Sequence, residues 1–303
     1  MIIALTGGTG FIGSHFLRQA LEAGHTVRAI RRSPYSKPRI VLNKHPVWLD
    51  YQLDKVQAEE LRGCQVLVHL AAHNVKYPYD SLANCLRWNL IAVLALFDKA
   101  RLAGIRRFVV AGSCFEYGRS GERYDAIPTN APLEPTNNYA ASKAAAFIAL
   151  SQWAESHNLT LQTLRIFSVY GEGEAKNGFY SSLRRAALAG EDFAMTGGEQ
   201  IRDFMPVEAV AQTFLDRMHF PEMPTSQVKV YNLCYGEPLS LHTFAERCWT
   251  NWGARGQLLV GSIPYRNGEV MRYVAGDDKI NILHINKMNN LSYKDYLLNQ
   301  SGS

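Results

Sequence analysis

The chain has 303 residues, of which 47% are apolar and 19% charged, enough for one large domain or for a main domain with a smaller lobe. No apolar run approaches the roughly 20 residues that span a bilayer, and "MIIALT" lacks the basic start of a signal peptide, so we expect a cytoplasmic protein without membrane contact. Five scattered cysteines without a C-x-x-C pair argue against a disulfide framework or metal site, and a net charge of +5 without an aromatic-rich basic stripe argues against a nucleic-acid partner.

Short apolar strands alternate with longer helical patterns over the first half of the chain. Strands are predicted at "MIIALT", "TVRAIR", "VLVHLAA", "RFVVAGS" and "TLQTLRI", and helices at "FIGSHFLRQALEAG", "NCLRWNLIAVLALFDKARLAG" and "YAASKAAAFIALSQWAESHN". Because strands this apolar need cover on both faces, the pattern predicts an α/β fold with a Rossmann-type doubly wound parallel sheet.

The pattern loosens after about residue 166, where Gly, Pro and aromatic residues separate shorter elements. We expect a smaller C-terminal substrate-binding lobe there, laid over the carboxyl edge of the sheet, where open α/β sheets bind ligands. The predicted division gives residues 1–165, with about 205–232, to a dinucleotide-binding domain, and residues 166–204 and 233–303 to the lobe.

The stretch "TGGTGFIG" joins the first strand to the first helix and predicts a dinucleotide site. Gly7 permits a tight turn, Gly10 lets the backbone approach a pyrophosphate, and Gly13 allows close packing of helix on sheet. The first helical residues, Phe11 and Ile12, start a helix whose free N–H groups and positive dipole end attract phosphates.

The end of the second strand indicates which cofactor binds. Folds specific for NAD place an acidic residue there to hold the ribose 2′-hydroxyl, whereas "HTVRAIRRS" offers Arg31 and Arg32. Guanidinium groups pair with a 2′-phosphate, so we predict NADP(H) rather than NAD(H); two surface arginines in a loop are the alternative. Asp50 in "VWLD" is a candidate for the adenine amine or an ordinary turn aspartate.

Tyr139 and Lys143 lie four residues apart at the start of a predicted helix, and therefore on one face. A free tyrosine has a pKa near 10 and is a poor acid or base near neutral pH. A neighbouring ammonium and an oxidised nicotinamide favour the phenolate and bring the pKa into a useful range. Ser113, at the end of "RFVVAGS", is the third candidate of this catalytic set.

The motifs together resemble the extended short-chain dehydrogenase/reductase family, which contains nucleotide-sugar epimerases, dehydratases and reductases. The resemblance covers nearly the whole chain and rests on "TGGTGFIGSHFL", "VLVHLAA", "WNLIAVLAL", "GSCFEYG", "YAASK", "LRIFSVYGEG", "QIRDFMPVEAVA", "YNLCYGEPLS" and "RNGEV". It implies a Rossmann domain, a nucleotide-sugar-binding lobe, and a homodimer joined through the helices at 84–103 and 139–157.

The resemblance also implies roles for individual residues. Ser113 hydrogen-bonds the substrate oxygen, and Tyr139 and Lys143 are the catalytic pair. The remaining implied contacts are with the cofactor, for Leu70, Ala71, Ala72 and Asn89, and with the substrate, for Cys114, Phe115, Ser168, Arg202 and Arg266. Arg202 and Arg266 match arginines that hold the nucleotide diphosphate. Ser168 departs from the family's "RxxNVYG" pattern, because a serine replaces an amide that commonly touches the sugar diphosphate.

The two residues that directly follow Ser113 decide which reactions of this family the chain can catalyse. The 4,6-dehydratases of this family need an acid and a base directly after the active-site Ser or Thr, and this chain has Cys114 and Phe115 there. The epimerising cysteine of the fucose-pathway epimerase-reductases lies one residue further on, at Phe115. We therefore expect carbonyl–alcohol chemistry without dehydration.

Three functions stay open at this point. The two arginines favour an NADPH-dependent reductase of a nucleotide-diphosphate 4-keto-6-deoxy sugar, in deoxysugar biosynthesis. A 4-epimerase that retains NAD is the first alternative, and a non-catalytic dinucleotide-binding regulator the second. Glu116 either hydrogen-bonds the sugar or faces solvent.

Overall fold

The structure is a computed structural model that describes residues 1–219, 227–266, 269–276 and 279–281. Parts of the predicted lobe, including the "NG" of "RNGEV" and everything after residue 281, lie outside these described residues. The strands are β1 (Ile2–Thr6), β2 (Thr26–Arg31), β3 (Val47–Asp50), β4 (Val66–His69), β5 (Arg107–Ser113), β6 (Thr160–Ile166), β7 (Ser168–Tyr170), β8 (Phe193–Met195), β9 (Ile201–Pro206), β10 (Val228–Cys234), β11 (Pro238–Ser240), β12 (Leu258–Val260), β13 (Arg272–Tyr273) and β14 (Lys279–Asn281).

The helices follow the predicted alternation with the strands. They are α1 (Phe11–Glu22), α2 (Ala58–Leu61), α3 (Leu82–Leu86), α4 (Ala92–Leu102), α5 (Asn138–Ser156), α6 (Phe179–Ala189), α7 (Val207–Asp216) and α8 (Leu241–Asn251). A π-helical turn, Arg87–Ile91, joins α3 to α4, so the single helix predicted at "NCLRWNLIAVLALFDKARLAG" contains one bulge. Such bulges are frequent at functional sites.

The central sheet has the order β14-β10-β6-β5-β4-β1-β2-β3 in the described part of the chain. Every neighbouring pair in it is parallel. The strand order reverses between β1 and β4, and this is the point at which a doubly wound sheet opens a crevice at its carboxyl edge. The predicted Rossmann-type α/β fold is confirmed.

Each face of the sheet is covered by helices and has its own core. On one face α1 and α7 bury Phe16, Leu17 and Phe214, which are 0% exposed. On the other face Phe97 of α4 and Trp153 of α5 pack edge-on at 5.5 Å between ring centroids, above the sheet. Full burial of each large apolar side chain contributes about 1.5–3 kcal/mol, so both faces stabilise the sheet that carries the site.

A smaller layer lies beyond the sheet. Strands β11, β9 and β13 pair in that order, with β7 added to β9, and β12 pairs with β8. Stacked rings of Phe204 and Phe244, 4.1 Å between centroids, form the centre of its core with α6 and α8. Strand β14 belongs to the central sheet, although it falls within the residues 233–303 predicted for the lobe. The exact division therefore stays a prediction.

Candidate active site

Three loops meet at the carboxyl edge of the sheet, after β1, β4 and β5. Parallel pairing places Thr6 beside His69 and His69 beside Val110, so the chain leaves all three strands at the same edge. The hydroxyl of Thr6 is 2.8 Å from Nδ1 of His69, and it accepts the backbone N–H of Ala71 at 3.2 Å. This contact fixes the loop after β4 against the loop after β1.

The loop after β1 is built from glycines that a side chain would disrupt. Gly7 has φ +77°, and a Cβ there would lie 2.5 Å from the backbone N of Ala71. A Cβ on Gly13 would lie 2.0 Å from the carbonyl oxygen of Gly7. Gly10 caps α1 without a side-chain hydrogen bond, so the first N–H groups of the helix, from Phe11 onward, stay available. This tight cradle with free amides fits a dinucleotide diphosphate.

Loop residues 70–72 form the wall of this cradle. The backbone of Leu70 and Ala71 lies so close to Gly7 that a side chain on Gly7 would overlap both. Leu70 and Ala71 are half-buried, and Ala72 is exposed. Leu70 and Ala71 thus lie beside Gly7; the contact of residues 70–72 with the cofactor stays a prediction.

Two residues predicted to contact separate parts of the cofactor instead contact each other. Nε of Arg31 is 2.6 Å from Oδ1 of Asp50, and the guanidinium lies 4.5 Å above the ring centroid of Trp48. Arg31 is 13% exposed and its charge is largely balanced by Asp50. Arg32 is exposed and follows directly, which makes it the freer cation at this edge.

The predicted catalytic side chains come together at the end of β5. Ser113, Tyr139 and Lys143 are 7%, 5% and 5% exposed. The Ser113 side chain is hydrogen-bonded to the Tyr139 phenol. Nζ of Lys143, one helical turn after Tyr139, donates to the carbonyl oxygen of Ala111 at 2.7 Å.

Burial controls the protonation of this group. Burial raises the pKa of Tyr139, and the negative charge of Glu116 raises it further, while the hydrogen bond from Ser113 lowers it. Burial likewise lowers the pKa of Lys143, and Glu116 opposes that change. The net pKa of Tyr139 is therefore raised, contrary to the lowering expected from Lys143, and the phenol stays protonated.

Asn89 ties the catalytic helix to the loop after β4. It lies in the π-helical turn and donates through Nδ2 to Oγ of Ser142 at 2.8 Å; Ser142 in turn donates to the carbonyl oxygen of Tyr139 at 2.7 Å. Oδ1 of Asn89 accepts the backbone N–H of His73 at 2.7 Å. Asn89 thus helps to position the start of α5 at Tyr139, and its contact with the cofactor stays a prediction.

Cys114 and Phe115 form a short 3₁₀ turn directly after Ser113. Burial raises the pKa of the Cys114 thiol to about 12, with Arg202 acting in the opposite direction. Phe115 is 42% exposed, and its ring lies edge-on to Tyr273 at 6.2 Å. A neutral thiol and a phenyl ring supply neither a base nor an acid, in agreement with the sequence argument.

Glu116 differs from expectation. It was expected to hydrogen-bond the sugar or to face solvent, but it is 0% exposed. Its Oε1 accepts the backbone N–H of Ser113 at 2.8 Å and its Oε2 accepts Nε of Arg165 at 2.8 Å. The spacing Ser-x-x-Glu is that of a capping box, which is the sequence signal for the first contact. No sequence signal singled out Arg165.

The predicted diphosphate arginines lie in the smaller layer. Arg202 on β9 donates to Oε1 of Glu269 at 3.3 Å and is 17% exposed. Arg266 is exposed, and its charge lowers the pKa of Tyr79, while burial raises it more strongly. Ser168 is half-buried at the start of β7, paired with Phe204 on β9. These residues lie on the same layer; their contacts with a substrate stay predictions.

The family model described as the NAD dependent epimerase/dehydratase family matches residues 3–234. The chain belongs to this family. Family membership identifies it as a nicotinamide-dinucleotide-dependent enzyme of the extended short-chain dehydrogenase/reductase type, with nucleotide-sugar epimerases, dehydratases and reductases among its relatives.

Three similar proteins show the range of the family. A probable UDP-glucuronate 4-epimerase of Rhizobium meliloti (strain 1021) is 23% identical over 310 residues, covering 92% of this chain and 90% of that protein. A dTDP-6-deoxy-L-talose 4-dehydrogenase (NAD(+)) of Aggregatibacter actinomycetemcomitans is 27% identical over 253 residues, covering 81% and 88%. The structure of a UDP-N-acetylglucosamine 4-epimerase from Methanobrevibacter ruminantium M1, in complex with UDP-N-acetylmuramic acid, superimposes with a TM-score of 0.81 at 24% identity, covering 99% and 95%.

Two remaining features concern the described part of the chain. It contains all five cysteines, which are buried thiols outside any disulfide. Among the described residues, no helix has the length and apolar character needed to cross a membrane.

Proposed function

We propose that this enzyme is an NADPH-dependent reductase that converts a nucleotide-diphosphate 4-keto-6-deoxy sugar into its 4-hydroxy sugar. The observation that carries the proposal is the joined Ser113–Tyr139 hydroxyl pair, with Lys143 beside it and no acid or base at Cys114 or Phe115. That set suits exchange between a ketone and an alcohol. Elimination of water would need two further proton-transfer groups that these positions do not supply.

The cradle at the carboxyl edge would hold the cofactor. Gly7, Gly10 and Gly13 leave room for the diphosphate at the start of α1, and Arg32 offers a free guanidinium for a 2′-phosphate. When bound there, a reduced nicotinamide would supply a hydride, which carries two electrons and one proton. Formation of the alcohol would need a second proton at the ketone oxygen.

The chain's own residues deliver that second proton. Tyr139 is held protonated by burial, so its phenol can donate to the ketone oxygen as negative charge develops there. Ser113 would orient the same oxygen through its hydroxyl. The ammonium of Lys143, fixed by the Ala111 carbonyl, stabilises the phenolate left after donation.

The wall beside Ser113 supports a deoxysugar as the substrate. Phe115, which is 42% exposed, presents an apolar ring at the position next to the serine, where a methyl group would pack better than a hydroxyl. Arg202 and Arg266, on the layer over the sheet edge, supply guanidinium groups for the nucleotide diphosphate. This substrate class agrees with the name of one similar protein, the dTDP-6-deoxy-L-talose 4-dehydrogenase, which gives a 6-deoxy sugar and oxidation at position 4.

A 4-epimerase is the second candidate, and one contact favours it. Asp50 neutralises Arg31, which leaves a carboxylate near the place where NAD-specific folds hold the ribose hydroxyls. An epimerase would use the same Ser113, Tyr139 and Lys143 but would remove and return hydride on a retained cofactor. Two of the three similar proteins described above are named as 4-epimerases, one of them as a probable one.

We also propose a homodimer. Ile91 in the π-helical turn and Ile148 on α5 are each 60% exposed, and α5 packs beside that turn. Exposed β-branched side chains on neighbouring helices provide apolar area that a second copy of the chain would cover.

Nicotinamide absorbance distinguishes the two activities. Purified protein is mixed with NADPH or NADH and 4-keto-6-deoxy sugars on different nucleotides, and the loss of absorbance is followed. Rapid stoichiometric oxidation of NADPH supports the reductase. Interconversion of 4-hydroxy sugars without net oxidation would replace the reductase with the epimerase.

A further inference from the structure

A buried ion pair lies directly beneath the catalytic side chains, between β5 and β6. Nε of Arg165 is 2.8 Å from Oε2 of Glu116, and both side chains are 1% exposed. The other carboxylate oxygen, Oε1, accepts the backbone N–H of Ser113 at 2.8 Å. One carboxylate therefore joins the catalytic serine to the arginine.

Hydrogen bonds and two aromatic rings fix the guanidinium of Arg165. Its Nη1 donates to the hydroxyl of Tyr117 at 2.8 Å and to the carbonyl of Thr129 at 2.9 Å. The rings of Tyr117 and Phe147 lie 4.6 Å and 4.4 Å from the guanidinium carbon. A guanidinium fixed in this way gives Glu116 a rigid partner.

Gly112 on β5 leaves room for the Glu116–Arg165 ion pair. Gly112 is paired with Arg165 across β5 and β6. A Cβ on Gly112 would lie 3.0 Å from Oε1 of Glu116 and 3.1 Å from Cγ of Arg165. The glycine before the catalytic serine therefore leaves space for the ion pair, and a side chain there would crowd Glu116 and Arg165.

Glu116 also lies near Tyr139 and Lys143, the two catalytic side chains whose pKa it changes. It lines one small cavity together with Lys143, His69 and Asn89. Its charge raises the pKa of Lys143, and the nearby His69 is held neutral because burial lowers its pKa to about 3. Tyr139 is faced by Glu116, Ser113 and Cys114 from the turn after β5 and by Tyr79 from the loop after β4.

We propose that Glu116 and Arg165 are a positioning pair for the reaction: Glu116 fixes the backbone of Ser113 and places a negative charge opposite Tyr139 and Lys143. A buried ion pair stabilises a fold little compared with apolar residues of the same size, so its position at the serine suits a role in the site. The inference rests on the proposed Ser113–Tyr139–Lys143 chemistry and adds two residues to it.

Glu116→Gln removes the charge and keeps an oxygen for the Ser113 N–H. Because Glu116 raises the pKa of Tyr139, its loss lowers that pKa, and reduction, which needs the protonated phenol, should fail at a lower pH than in the wild type. Because a neutral Gln no longer forms an ion pair with Arg165, it holds Ser113 less rigidly, and we expect kcat to fall about 10-fold or more, with the cofactor KM unchanged. A folded variant with wild-type kcat and an unmoved alkaline limb would overturn the proposal.

Further variants separate charge from geometry. Glu116→Asp keeps both charges but is too short to reach Ser113 and Arg165 together, so kcat should fall while the alkaline limb stays in place. The double variant Glu116→Gln/Arg165→Met leaves no unpaired buried charge and should show the lower kcat and the shifted limb even if the single variant does not fold. Wild-type kinetics in either variant would overturn the proposal.

The matched control is Glu134→Gln. It breaks an exposed ion pair with Arg123, 2.6 Å long, in the loop that follows the same turn. Its kcat and pH profile should equal those of the wild type. A similar loss in this control would overturn the assignment, because the effect would then belong to any ion pair of this region.

A titration without substrate separates this inference from the proposed function. Tyrosinate absorbance is titrated with oxidised cofactor present, and the signal of Tyr139 is obtained by subtracting a Tyr139→Phe variant in both the wild-type and Glu116→Gln backgrounds. A lower Tyr139 pKa in Glu116→Gln supports the pair even if no sugar is reduced. An unchanged pKa contradicts it, whatever the substrate proves to be.

Discussion

The contact between Gly13 and Gly7 allows a sharp prediction about the cofactor cradle. In a Gly13→Ala variant the new Cβ would lie 2.0 Å from the Gly7 carbonyl oxygen and 2.6 Å from its carbonyl carbon. Ordinary contact begins at 3.4 Å, so the loop and α1 must separate by about 1.4 Å. The obstacle is backbone on both sides, so no side chain can rotate away.

That displacement should affect binding more than folding. Overpacking of this kind costs about 1–3 kcal/mol of stability. Misplacing a binding group by about 1 Å weakens its function about 100-fold, and we expect a loss of that size in NADPH affinity. NADPH fluorescence titration gives the Kd, and urea unfolding gives the free energy of unfolding.

Gly104→Ala is the control for this experiment. Gly104 also has a positive φ, +97°, but no atom lies within 4 Å of the added Cβ, and it closes α4 far from the cradle. The variant should lose about 1 kcal/mol of stability and keep the wild-type NADPH Kd. If Gly13→Ala also kept the wild-type Kd, the reasoning about the cradle would be refuted.

Three further predictions follow from single residues. The folded-state pKa of His69 is lowered from 6.5 to about 3, so the stability that it contributes is present above pH 6.5 and is lost as the pH falls towards 3. Urea unfolding should show a loss of about 1.4 kcal/mol per pH unit below pH 6 that a His69→Gln variant lacks, and equal slopes would contradict this. Arg32→Ala should raise the NADPH Kd about 10-fold or more and leave the NADH Kd unchanged, as isothermal titration would show; equal effects on both would remove the 2′-phosphate role. Cys114→Ala should keep turnover within about 3-fold of the wild type because the thiol is neutral, with a pKa near 12; a loss of 100-fold or more would make the cysteine catalytic.

The fold could be predicted from the sequence because each local signal agrees with the tertiary structure. The strands "RFVVAGS" and "TLQTLRI" coincide with β5 and β6, since short runs rich in apolar and β-branched residues between helical patterns are typical of strands. The π-helical turn at Arg87–Ile91 could not be predicted in this way, because a bulge changes the period by one residue and leaves the apolar pattern nearly intact.

The site was predicted in part. Ser113, Tyr139 and Lys143 come together because one lies at a strand end and two lie one turn apart on the helix that packs there. The partners of charged residues were not predicted: Arg31 pairs with Asp50, and Glu116 pairs with Arg165. Such pairs join residues 19 and 49 positions apart, and their contacts depend on strand pairing that a single sequence does not show.

The central claim is that Tyr139 transfers the proton in a carbonyl–alcohol reaction, and one measurement tests it most directly. NADPH oxidation with a nucleotide-diphosphate 4-keto-6-deoxy sugar is compared between the wild type and Tyr139→Phe, and the NADPH Kd of both is measured by fluorescence. We predict at least about 100-fold slower turnover for Tyr139→Phe with an unchanged Kd. Equal turnover in the two proteins would contradict the account.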